Sequence, residues 1–132
     1  MKWVRHQPHA RMRKPASATV NYHGDVLFNV KAVKQVIKEA EYVEIFFDSN
    51  EEKIKLIGFR FFENPTSFSV ILKFHNKKRN QAIAKINRKI VEEMGIIKHT
   101  AKRFSLEFDS ESEVWFIDME KGKSFSTENY KH

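Results

Sequence analysis

A chain of 132 residues without a single cysteine excludes disulfides and thiolate metal sites, and its 41% hydrophobic content with 12 Phe is enough for one core without staples. The basic N-terminus is not followed by an apolar segment and no run of about 18 apolar residues occurs, so neither a secretory signal nor a membrane span is expected, and the expected location is cytoplasmic. The net charge of +7 is unevenly spread. Residues 1–15 hold five Lys/Arg and no acid, and residues 73–103 hold ten Lys/Arg against Glu92 and Glu93. Clustered cations of this kind draw a polyanion by releasing its counterions, whatever its sequence.

In chain order, residues 1–16 are polar, lack periodicity and read as a flexible basic arm. "SATVNYHGDVLF" predicts two short strands around a turn at Gly24. Asn29 is placed to cap a short helix that puts Val30, Val33, Val36, Ile37 and Ala40 on one face. "YVEIFFD" and "KIKLIGFRFF" then form a hairpin through "SNEE", and Asn64-Pro65 breaks the chain. In the second half "SFSVILKF" alternates as a strand with Phe68, Val70, Leu72 and Phe74 inward. After the polar "HNKKRN", residues 80–94 predict the longest helix, with Ile83, Ile86, Ile90, Val91 and Met94 on one stripe and Gly95 ending it. "RFSLEFD" and "EVWFIDM" make a second hairpin, and 121–132 reads as a polar tail.

The two hairpins share Phe-Asp-Ser at Phe47–Ser49 and Phe108–Ser110, each followed by an acidic turn and an apolar return. This order predicts an α+β domain over 17–120, built of two similar strand–helix–hairpin halves, 17–62 and 67–119. Each half would leave an apolar face that the other covers, giving antiparallel sheet with two packed helices.

Gly24 to Phe59 resembles the AbrB/SpoVT swapped-hairpin pattern at Gly24, Val26, Phe28, Val33, Ile37, Val43, Ile45, Asp48, Ile54 and Leu56. It departs from that pattern at Asn29, where the family's proline stands, and at Glu41-Tyr42, where its glycine is absent. The resemblance implies duplex DNA binding, dimers and transcriptional regulation. The two-half arrangement is also similar in architecture to Whirly-type and transcriptional-coactivator-type single-stranded DNA binders. That likeness implies bases stacking on a basic, aromatic sheet face formed by Lys53, Lys55, Arg60 and Lys73.

The nucleic-acid contacts expected from charge are Arg11, Arg13 and Lys14 in the arm, with Lys73, His75, Lys77, Lys78, Arg79, Lys85, Arg88 and Lys89 in the basic second half. No cofactor is implied, and no catalytic or metal signature occurs: the six His make no helical i, i+4 pair, and there is no Walker loop or G-x-S-x-G elbow. A small ribonuclease would need only His23 or His75 with Lys77 as proton carriers. A protein-interaction module is the remaining class, since Glu39, Glu41, Glu44, Glu51 and Glu52 give the first half an acidic rim. Charge favours a nucleic-acid-binding protein and the lack of a catalytic signature a non-enzymatic one; the AbrB/SpoVT resemblance implies DNA before RNA, a regulatory role and a homodimer.

Overall fold

The computed structural model describes residues 15–50, 53–74 and 80–127. Alternating apolar residues build most of it. In β1, Ser17–Asn21, Ala18 and Val20 face inward, and in β2, Asp25–Phe28, so do Val26 and Phe28. The turn between them needs Gly24 at φ 86°, where a side chain would also meet the Ile86 carbonyl oxygen at 2.6 Å. Asn29 then caps a helix, as its side-chain chemistry predicts. Its Oδ1 accepts from Ala32 N at 2.8 Å and from Ser17 N at 3.1 Å, and its amide donates to the Pro15 carbonyl. This helix, α1, opens at Val30–Ala32 and widens to a π-helix over Val33–Ile37. It buries Ala32, Val33 and Ile37, while Val30 stays exposed. Lys38, at φ 54°, ends it by donating to the Val33 carbonyl.

The expected first hairpin is present as β3, Tyr42–Asn50, paired antiparallel with β4, Lys53–Phe62. Past Pro65 the alternating "SFSVILKF" does not form one strand. Val70–Ile71 (β5) pairs with β3, and Lys73–Phe74 (β6) pairs with β7, Ala82–Lys85. Leu72, buried between them, turns the chain from one sheet into the other and donates to the Glu41 carbonyl at 2.8 Å. "RFSLEFD" divides in the same way at Leu106. Thr100–Ser105 (β8) pairs with β1, Glu107–Asp109 (β9) pairs with Val114–Asp118 (β10), and Leu106 N donates to the Ala16 carbonyl. After a 3-10 turn at Met119–Lys121, Lys123–Ser126 (β11) pairs with β8, inside the stretch read as a polar tail.

The result is a mostly β architecture of two antiparallel sheets, with orders β11-β8-β1-β2-β7-β6 and β5-β3-β4-β10-β9. Phe28 of the first sheet meets Phe59 and Phe61 of the second edge-on, with centroids 5.2 and 5.5 Å apart, so the sheets face each other across one core. Phe104, Ile57, Ile117, Val20, Val26, Val43 and Val91 are the other large side chains fully buried in it.

This overturns the expected α+β fold of two similar halves with two packed helices. Residues 82–85 are a strand rather than the first turn of a helix over 80–94. The helix α2 occupies only Arg88–Glu93, begun by Asn87, whose side chain accepts from Lys89 N. Pairing against β2 explains the change: Ala82 lies opposite Phe28 and Ala84 opposite Val26, and both alanines are buried. A helical stripe and an alternating strand share these apolar positions, and the open edge of β2 selects the strand. Ile86, expected in the helical core stripe, is half-buried just past the strand.

Candidate nucleic-acid interface

The antiparallel register of the six-stranded sheet defines its outer face. With Ala18, Val20, Val26 and Phe28 inward, the alternate residues point away from the core. One lateral row crosses all six strands: Lys123 is opposite Arg103, Arg103 opposite Thr19, Thr19 opposite Leu27, Leu27 opposite Ile83, and Ile83 opposite Lys73. Exposed cations therefore stand at both ends of the row, with Thr19 and half-buried Leu27 and Ile83 between them. The row spans five interstrand gaps, about 24 Å at the usual spacing.

Two shallow depressions of about 230 and 270 Å³ adjoin this row and share Arg103 and Ser17. The first adds Lys121, Lys123 and the Ser105 hydroxyl, a combination of cations and donors suited to an anionic oxygen. Lys121 also reaches Glu107 at 3.4 Å, a weak exposed pair. In the next row Phe125 lies opposite Ala101, and the Arg103 guanidinium lies 5.1 Å from the Phe125 ring. The arrangement places a flat cation against an aromatic ring at the surface.

A second cationic group collects at the β1–β2 turn. Lys85 ion-pairs Asp25 at 2.5 Å, and Arg88 lies over the Tyr22 ring at 4.2 Å. Burial pushes the Asp25 carboxyl up, but hydrogen bonds from Lys85 and Asn21 and the Lys85 charge outweigh it and hold the group below its ordinary value. Lys85 keeps 62% of its side chain exposed, so its remaining donors face solvent. His23, one of the two histidines considered for catalysis, is exposed and packs edge-on against Tyr22.

Charge separates the two sheets. Strands of the six-stranded sheet carry Lys73, Lys85, Lys102, Arg103 and Lys123 against Asp25 alone. Those of the five-stranded sheet carry Glu44, Asp48, Glu107, Asp109 and Asp118 against Lys53, Lys55 and Arg60. Three of the four cations named for a Whirly-like face, Lys53, Lys55 and Arg60, thus lie in the opposite sheet from Lys73. The core claims many of the aromatics, Phe28, Phe59 and Phe104 being fully buried.

Of the contacts expected from charge, Lys73 and Lys85 share the outer face, and Arg88 and Lys89 start α2 beside the β1–β2 turn. Arg11, Arg13, Lys14, His75, Lys77, Lys78 and Arg79 lie outside the described residues. Arg103 and Lys123 were not among the expected contacts. Their signal is alternation: Ala101, Arg103 and Ser105 in β8, and Lys123 and Phe125 in β11, occupy one side of adjacent strands. Among the described residues no three His, Cys, Asp or Glu side chains are grouped to hold a metal, and no helix is long and apolar enough to cross a membrane.

No family model, curated protein or solved structure matches the chain, and nothing in these comparisons links it to AbrB/SpoVT or Whirly-type proteins.

Proposed function

We propose that this protein binds nucleic acid without catalysis, along the outer face of its six-stranded sheet, with single strands as the preferred form. The supporting observation is the lateral row from Lys123 and Arg103 through Thr19, Leu27 and Ile83 to Lys73. Its cations neutralise phosphates, its half-buried apolar side chains accept the faces of unpaired bases, and Phe125 and Tyr22 provide rings at its borders. A face six strands wide suits a splayed strand better than it suits the interior of a duplex groove, which admits a helix or a two-stranded ribbon.

Fluorescence anisotropy with single-stranded DNA, single-stranded RNA and duplex DNA of matched length and label tests this reading. The expected order is single strands tighter than duplex at one fixed salt, with affinity falling as salt rises. Equal binding of all three would leave only non-specific phosphate attraction. Absence of binding at low salt would end the proposal.

A further inference from the structure

The outer face of the five-stranded sheet is built for a different partner. One of its lateral rows runs Phe46, Gly58, Phe116 and Glu107 across β3, β4, β10 and β9. Gly58 contributes no side chain, so a slot opens between Phe46 and Phe116, forming a concavity of about 430 Å³ with Leu56 and Val114 in its walls. A Cβ at Gly58 would stand 2.8 Å from Val114 Cγ1 and 3.6 Å from Phe46 Cβ, so the glycine keeps the slot open. Phe46 remains 39% exposed and Phe108, at the edge, 50%.

The carboxylates are placed around this slot. Asp48 and Asp118 flank Leu56 in the neighbouring row, and Asp109 stands opposite Val114 on the other side. Glu44 and Glu107 also face outward here, Glu107 meeting Lys121 at 3.4 Å. Of the cations on these strands, Arg60 is committed to the Phe46 ring at 5.3 Å and to the Ser112 carbonyl, and exposed Lys55 stands next to Leu56. Hydrogen bonds from the Ser112 hydroxyl and the Glu111 N–H hold the Asp109 carboxyl below its ordinary value, so it stays charged. Such a rim repels phosphates and attracts cations.

We propose that this face docks an extended segment of a partner protein, with one aromatic side chain in the slot and a Lys or Arg on each side of it. Charge complementarity selects this occupant over a nucleic acid. Neighbouring outward rows lie two residues apart along a strand, about 7 Å, so the matching cations fall two residues before and after the anchor. The inference is independent of the nucleic-acid reading, which concerns the opposite sheet.

The test uses the full chain and the fluorescein-labelled peptide GKSWSKG, with GESWSEG and GKSASKG as controls. Saturable binding of the first is expected, at least tenfold tighter than either control. Asp48→Lys and Gly58→Ala should each weaken it at least fivefold while oligonucleotide binding is unchanged. Because Asp48 is exposed, that variant remains informative even if Gly58→Ala fails to fold. Equal binding of GESWSEG, or binding unchanged in Asp48→Lys, overturns the proposal. So do three other outcomes: competition by oligonucleotide, a dimer by sedimentation that Asp48→Lys dissociates, and tighter peptide binding by Trp3→Ala. These would assign the face to nucleic acid, to a second copy, or to the chain's own N-terminal segment.

Discussion

Replacing Lys73, Arg103 and Lys123 together by Ala removes the charged ends of the outer row and little else. All three are exposed, and among the described residues their one side-chain contact is Arg103 over Phe125 at 5.1 Å. Losing that exposed cation–π contact costs about 0.5–1 kcal/mol of stability, too little to unfold a domain. If each cation neutralises one phosphate of a single strand, the slope of log affinity against log salt flattens by about 0.7 per contact, or about 2 in all. At roughly 0.15 M salt the same relation gives a loss of about 1.7 log units, close to 50-fold and about 2.4 kcal/mol. Anisotropy titrations with one single-stranded oligonucleotide at four or more salt concentrations measure both quantities. Lys55→Ala, an exposed change in the other sheet, provides the control and should alter neither. An unchanged slope in the triple variant with melting temperature retained would refute the interface. A weaker affinity with an unchanged slope would show that the row acts through something other than phosphate charge.

Three further expectations concern the fold that holds this face. Asp25→Asn should cost about 0.5–1 kcal/mol near neutral pH, a figure discounted for the 62% exposure of Lys85. Because the folded Asp25 lies below its ordinary value of 3.8, its contribution is complete above that pH and is lost as pH falls through the folded value. Urea unfolding of both chains from about pH 6 downward should therefore show their stability difference shrinking in acid; a constant difference would contradict the ion pair. Gly24→Ala should destabilise by about 1–3 kcal/mol, since φ is 86° and the new Cβ would meet the Ile86 oxygen at 2.6 Å; an unchanged urea midpoint would rule out this strain. Phe59→Ala, at the centre of the contact with Phe28 and fully buried, should cost about 3–5 kcal/mol by the same measurement, and less than about 1 would mean the sheets do not meet there.

Local chemistry was legible wherever the deciding partner lies nearby in the chain. Asn29 caps α1 through Ala32, Gly24 turns β1 into β2, and the β3–β4 hairpin follows its own alternation. The inward residues Val20, Val26, Phe28, Val43 and Phe59 follow from the same period. The repeated Phe-Asp-Ser marks two real hairpins, and both enter one sheet through the pairing of β10 with β4. Their shared sequence did not carry a shared helix. Residues 82–85 became strand because β2, more than fifty residues earlier in the chain, offered hydrogen bonds that a helix of their own would have replaced. Leu72 and Leu106 likewise sit in stretches that alternate without interruption, yet at each the chain passes into the other sheet. Alternation specifies which side chains face inward; it does not specify which strand lies alongside. That choice also assembled the candidate interface, since Lys123, Arg103 and Lys73 meet in one row only through pairings between distant strands. The amino-acid sequence thus determined the charge, the turns and the apolar content of the core. Tertiary pairing determined the partners of the strands and, through them, which cations share a face, because non-local hydrogen bonds and burial outweigh the small differences in local propensity.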